Sequence, residues 1–122
     1  MFTVEDDCAA GNFHMASNGK IVVLTNCASA KEARRIARAL VDKRLAACVN
    51  IVAAPVQSVY RWKAKIETAR EYSLLIKTTK ECFAAVERTI RELHSYEVPE
   101  IIAVPIVAGS RDYLAWLEEN VR

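Results

Sequence analysis

Two residues far apart in the chain, Cys27 and His94, carry side chains that bind metal ions. Thiolate sulfur and imidazole nitrogen are ligands that copper and zinc favour. A carboxylate from Glu67 or Glu71 could join them. The sequence therefore suggests a weak copper or zinc site that folding does not require. The alternative is structural, with Cys27 as a small apolar residue and His94 as a cation at a helix C-terminus. The absence of CxxC and H-x-H spacing favours that alternative.

Four aromatic residues form a second candidate site, because each combines an apolar ring with a polar group that suits an interface or a cleft wall. They are Tyr60, Trp62, Tyr96 and Trp116. Together with Glu71 and Lys77, they are candidates for lining a ligand cleft. The alternative is packing between subunits, which we favour for Trp62 and Trp116.

Composition narrows the classes of function. The chain has 122 residues, 52% hydrophobic and 26% charged, which is typical of one globular domain. Its 17 basic and 15 acidic residues are too balanced for a dedicated nucleic-acid surface. Neither a Walker nor a GxGxxG loop occurs, no nucleophile motif surrounds His94, and the four cysteines lack the spacing of an iron–sulfur cluster. We therefore expect a protein that is not an enzyme.

Location and domain boundaries follow from the apolar pattern. No run approaches the roughly 18 apolar residues of a membrane span, and the acidic N-terminus lacks the features of a signal peptide. We expect a cytoplasmic protein that binds neither membranes nor nucleic acids. Residues 1–19 show no periodicity and predict a flexible extension, whereas residues 20–122 predict one folded domain.

The elements that must position these residues can be read from hydrophobic periodicity and capping motifs. Ser29 and Glu32 match a capping box that opens a helix reaching residue 43, and 78–81 match a second. Ser110 can cap a short terminal helix. Strands are predicted at 20–25, 46–52, 71–77 and 98–104. Pro55 interrupts the second strand, which resumes at 57–66 and joins the next strand through a connection near residues 67–70. The order β-α-β-β-α-β with an extra C-terminal helix predicts an α+β, ferredoxin-like sandwich with both helices on one face of the sheet.

The predicted strands between residues 46 and 77 are apolar on both faces, with Val, Ile, Leu, Tyr and Trp at alternate and intervening positions. A lone subunit would expose much of this surface to water. Pairing with further copies of the same chain would cover it, so the sequence predicts an oligomer.

Five sequence blocks in register resemble the CutA family of divalent-cation tolerance proteins. They are KRLAACVNI (43–51), SVYRWKAKIE (58–67), LLIKTT (74–79), HSYEVPEI (94–101) and YLAWL (113–117). The similarity covers about residues 20–122. It implies a ferredoxin-like subunit in a tight homotrimer, similar in architecture to the signal protein PII, with ligand clefts between subunits. It also implies tolerance to divalent ions and an association with copper.

Three positions depart from the family pattern. Ala64 replaces the usual Gly of the W-x-G-K-I stretch, which makes a positive φ costly there. Ser95 replaces the commoner Pro, and Thr25 stands where some members carry a cysteine. The resemblance thus predicts a non-enzymatic homotrimer that responds to divalent metal ions and binds copper or zinc. The alternative prediction is a PII-like signalling protein with a small anionic ligand in its intersubunit clefts.

Overall fold

The computed structural model describes the backbone of His14–Met15 and all of residues 19–122. The rest of the extension predicted over residues 1–19 lies outside these described residues. The elements in chain order are β1 (His14–Met15), β2 (Lys20–Cys27), α1 (Ala30–Asp42), β3 (Cys48–Ile51), β4 (Val56–Trp62), β5 (Lys65–Thr79), a 3₁₀ turn (Lys80–Cys82), α2 (Phe83–Leu93), β6 (Ile102–Pro105), β7 (Ala108–Gly109) and α3 (Arg111–Glu119).

The main sheet is antiparallel and has the order β3-β5-β2-β6. Its longest strand, β5, has 15 residues and serves two parts of the molecule. The C-terminal half of β5 lies between β2 and β3, whereas its N-terminal half pairs with β4 as a hairpin. A separate two-stranded pairing joins β1 to β7. The predicted β-α-β-β-α-β order with a terminal helix is therefore confirmed, with the second strand split into β3 and β4 around Pro55.

Helix α1 begins directly after the predicted capping residue, Ser29, and ends at Asp42, close to the predicted end at residue 43. The Ser29 Oγ accepts a hydrogen bond from the backbone N–H of Glu32 at 3.1 Å, which satisfies one free amide of the first turn. Ala33, Ile36 and Leu40 form the face of this helix that is fully buried. After the helix, Arg44 adopts a left-handed conformation (φ 58°). The next amides then bond back to the Leu40 carbonyl and close the helix.

The hairpin turns at Lys63 and Ala64, so the predicted connection near residues 67–70 is wrong. Both residues have positive φ, 51° and 69°, as expected of a two-residue hairpin loop whose twist matches its strands. Trp62 then pairs with Lys65, and β5 runs unbroken through residues 67–70. Glycine would have marked this turn in the sequence, and Ala64 concealed it because alanine seldom adopts a positive φ.

The second predicted capping box does not form. Thr79 makes no side-chain capping bond, and the α-helix begins only at Phe83, after the 3₁₀ turn. The neighbouring Thr78 is fully buried, and its hydroxyl donates to the Leu45 carbonyl at 2.6 Å. The tertiary contact with the end of α1 therefore takes a hydroxyl that the local pattern assigned to a cap.

The C-terminal segment differs from its prediction in one boundary. The last main-sheet strand begins at Ile102 rather than near residue 98. Ser110 caps α3 as predicted, with its Oγ accepting from the Tyr113 N–H at 3.2 Å. Leu114 and Leu117 of this helix are buried, whereas Tyr113 and Trp116 are exposed. None of the helices in the described part of the chain has the length and apolar character that a membrane span requires.

The core lies between one face of the sheet and helices α1 and α2. Alternate residues of β2, among them Val23 and Thr25, point into it and are almost fully buried. Ile76 of β5 and Ile90 of α2 meet them there. This packing brings the C-terminal end of β2, the first turn of α1 and the last turn of α2 together.

Candidate functional site

Three buried side chains of types that can ligate a metal ion meet where these elements converge. Cys27 is the last residue of β2, Glu32 lies in the first turn of α1, and His94 follows the last turn of α2. One ligand atom from each lies within 4.8 Å of the other two. The Cys27 residue and the His94 side chain are fully buried. We call these three residues the Cys-Glu-His cluster.

Hydrogen bonds define the state of the His94 ring. Its Nε2 lies 2.7 Å from the backbone carbonyl oxygen of Asn26, which can only accept, so Nε2 carries a proton. Its Nδ1 accepts from the backbone N–H of Tyr96 at 3.1 Å and therefore carries a lone pair. The same Nδ1 lies 3.4 Å from the Glu32 Oε2. The ring is a neutral imidazole whose unprotonated nitrogen faces the cluster.

Glu32 was missed as a candidate ligand because a capping box already accounted for it. The first half of that box forms, since the Glu32 N–H bonds to Ser29. The carboxylate, however, accepts from the backbone N–H of Ser95 at 3.2 Å and lies beside His94. The sequence signal that could have found Glu32 is its place in the first turn of the helix that follows Cys27. That turn must lie close to the end of β2.

The Cys27 thiol is protonated at neutral pH. Burial is the main reason that the pKa of this thiol rises from 9.0 to about 12, and the negative charges of Glu32 and Glu71 contribute to the rise. A protonated thiol is a poor nucleophile, so this environment does not suit covalent catalysis. The same negative charges would attract a cation, which would have to displace the thiol proton.

Glu67, the other predicted ligand, lies elsewhere. It pairs with Tyr60 in the hairpin, whereas Cys27 pairs with Tyr72. Five residues of extended strand separate Glu67 from Tyr72, about 17 Å. Among the described residues, the candidate metal group contains Glu32 in place of Glu67.

A cleft of about 750 Å³ lies next to the cluster. Asn26 precedes Cys27 in the chain, and Ser95 and Tyr96 follow His94, and all three line the cleft. The full lining is Asn26, Ser58, Val59, Tyr60, Trp62, Glu71, Ser95, Tyr96, Glu97, Val98 and Glu100. The cluster and the cleft therefore share a wall.

Four of the six predicted cleft residues line this cleft: Tyr60, Trp62, Glu71 and Tyr96. Two do not. Lys77 donates a hydrogen bond to the Asn50 side chain across the β3–β5 pair. Trp116 packs its ring against Tyr113 on α3, with 5.6 Å between centroids. Residue type alone did not show which of the six would face the same space.

Tyr96 connects the cleft to the cluster. Its ring centroid is 4.8 Å from that of His94. Burial, followed by a side-chain hydrogen bond to Glu71, raises the Tyr96 pKa to about 12, so the hydroxyl stays protonated and donates to that carboxylate. Movement of the Tyr96 backbone would therefore change both the hydrogen bond to His94 and the shape of the cleft.

The cleft is acidic. Glu71, Glu97 and Glu100 line it, and the described lining residues include neither lysine nor arginine. Glu100 accepts from the Asn26 side-chain amide at 3.3 Å. The lining of a single chain therefore favours a cationic ligand over an anionic one.

Comparison with known proteins supplies the family. The CutA1 divalent ion tolerance protein family model matches residues 21–120. The chain belongs to this family. The divalent-cation tolerance protein CutA of Thermus thermophilus is 50% identical over 99 residues, which are 81% of this chain and 95% of the relative.

Solved structures of family members share the fold. A Thermus thermophilus CutA1 structure superposes with a TM-score of 0.82 at 48% identity, covering 84% of this chain and 99% of the other. The CutA structure of Synechococcus elongatus gives 0.84 at 31% identity, covering 93% and 98%. The predicted family membership and the ferredoxin-like α+β fold are both confirmed.

Proposed function

We propose that this protein is a non-enzymatic, cytoplasmic homotrimer that contributes to divalent-cation tolerance by binding zinc or copper at Cys27, Glu32 and His94. The observation that carries the proposal is the convergence of a thiol, a carboxylate and an imidazole within 4.8 Å. Folding does not depend on the ion, because the surrounding core is already closed by apolar packing.

The donor set suits a borderline ion. Sulfur, nitrogen and oxygen ligands together favour Zn²⁺ or Cu²⁺, and three protein ligands would leave a coordination position for water. Ligand atoms on one tetrahedral zinc lie about 3.5 Å apart. His94 Nδ1 and Glu32 Oε2 are already 3.4 Å apart, but any pair near the 4.8 Å limit would have to approach by about 1 Å, and such a rearrangement predicts modest affinity.

Binding would also have two local costs. The cation must displace the Cys27 proton, so affinity should rise with pH. At His94, Nδ1 is the nitrogen beside Glu32, and its lone pair now accepts from Tyr96 N–H. That hydrogen bond must break before the nitrogen can ligate.

Zinc titration followed by native mass spectrometry tests the metal site. The native protein should bind about one ion per chain, and Cys27→Ser, Glu32→Gln and His94→Gln should each weaken binding by at least about tenfold. Cys48→Ser is the matched control, because Cys48 is a free cysteine outside the cluster. Equal binding by all four variants would remove the cluster from the function.

Exposed apolar side chains support self-association. Val59 and Ile66 of the hairpin are 66% and 61% exposed, and Ile102 on β6 is 50% exposed. Burying such surfaces between copies would stabilise an oligomer. Light scattering should give three times the 13.6 kDa chain mass. A mass equal to one chain at micromolar concentration would refute the trimer.

The alternative function is a PII-like response to a small anion. The meeting of Tyr60, Trp62, Glu71 and Tyr96 in one cleft favours a ligand site. The position of Lys77 and the three lining carboxylates oppose an anion, unless a neighbouring subunit supplies positive charge. Thermal stabilisation by ATP or phosphate would support this alternative, and the absence of any shift would count against it.

A further inference from the structure

Glu71 is a buried carboxylate that belongs to none of the ion pairs between side chains of residues 19–122. It is 7% exposed, and its hydrogen-bonding partner is the neutral Tyr96 hydroxyl. The ion pairs between residues 19 and 122 join Lys20 to Glu118 and Arg91 to Glu87, and the carboxylate of Glu32 lies beside the neutral His94 ring. A buried charge is costly unless an opposite charge compensates it. Glu71 lines the cleft, so a ligand cation could supply that charge.

Aromatic rings flank the same space. In the single chain, Tyr60 and Trp62 line the cleft from β4 and are 43% and 38% exposed. Aromatic faces attract ammonium groups and pack well against methylene chains. The protein itself shows this preference, since the Lys63 ammonium lies 5.7 Å from the centroid of the Trp62 ring.

The three cleft carboxylates do not converge on one point. Among the described residues, the group of metal-binding side chains that comes together is Cys27, Glu32 and His94, and none of the cleft carboxylates belongs to it. Separated carboxylates suit separated positive charges better than one metal ion, which needs its ligands within a few ångströms.

From the buried carboxylate, the aromatic walls and the separated charges, we propose that the cleft binds an aliphatic polyamine. One ammonium group bonds to Glu71, the methylene chain packs on Trp62 and Tyr60, and further ammonium groups reach Glu97 and Glu100 at the rim. The cleft shares a wall with the Cys-Glu-His cluster but none of its three residues, so either proposal can fail without the other.

Isothermal titration of the native protein with spermidine tests the proposal. Glu71→Gln should weaken binding by at least about tenfold, because the amide keeps the shape and removes the charge. Trp62→Leu should weaken it similarly by removing the aromatic face. The controls are Glu92→Gln, an exposed glutamate on α2, and Trp116→Leu, whose ring is as exposed as that of Trp62 but lies outside the cleft. Neither control should change affinity.

Further measurements distinguish polyamine binding from binding to an unspecific acidic surface. Affinity should fall with added salt, and 1,4-butanediol, which lacks charge, should not bind. Absence of spermidine binding, or equal binding by Glu71→Gln, Trp62→Leu and the controls, would overturn the proposal. Mg²⁺ binding with the same dependence on Glu71 and with no preference for spermidine would also overturn it, in favour of an unspecific acidic surface. If Glu71→Gln does not fold, Trp62→Leu and Glu97→Gln decide, since both side chains are exposed.

Discussion

Replacing Ala64 with glycine should stabilise the hairpin that carries the cleft aromatics. Ala64 has a φ of 69°, a left-handed conformation that costs an L-residue about 1–2 kcal/mol. Glycine adopts it freely but loses about 0.4–1 kcal/mol through the greater entropy of its unfolded chain. The difference predicts a rise of about 0.5–1 kcal/mol in the free energy of unfolding for Ala64→Gly.

Urea denaturation, repeated at several protein concentrations, measures this change and separates it from any contribution of subunit dissociation. Ala69→Gly is the matched control, because Ala69 lies in the same strand and is not among the residues with positive φ. It should lose about 0.5–1 kcal/mol. Destabilisation by both substitutions would show that the turn does not carry the strain that its backbone angles imply.

Two further predictions concern pH. The unfolded Cys27 thiol ionises near pH 9.0, and the folded one has a pKa of about 12. The contribution of this protonated thiol to the free energy of unfolding is therefore fully present below pH 9.0 and is lost as the pH rises from 9.0 towards 12. Between pH 9 and 10.5 the native protein should lose about 2 kcal/mol more than Cys27→Ala in urea denaturation, and parallel profiles would contradict the assigned pKa. A hydrogen bond from Lys20 lowers the Glu118 pKa below 4.5, so its contribution is present above pH 4.5 and is lost as pH falls through the depressed pKa. Thermal denaturation from pH 6 to 3 should show a steeper loss for the native protein than for Glu118→Gln, and identical slopes would refute the coupling.

Much of the fold could be predicted because its signals are local. The short β-branched run at residues 20–25 identifies β2, and Ser29 marks the start of α1. The errors arose where a local pattern had a competing tertiary use. Thr78 resembled part of a cap but bonds to Leu45 across the core, and Ala64 occupies a turn that glycine normally marks.

The candidate sites were predictable in part. Cys27 and His94 stood out by chemical type, and the topology allowed their approach. Their third neighbour did not stand out, because Glu32 had a sufficient local explanation as a capping residue. Lys77 and Trp116 were assigned to the cleft by type, yet Lys77 bonds across the sheet and Trp116 packs on α3.

The sequence by itself determined the order of the elements and the family, because these depend on periodicity, caps and contiguous residues. Only the tertiary structure decided that Glu32 rather than Glu67 lies beside Cys27 and His94, and that the neighbouring cleft is acidic. The physical reason is that both features depend on how β2, α1, α2 and the hairpin pack. Packing brings side chains together in space, and their separation along the chain does not predict that distance.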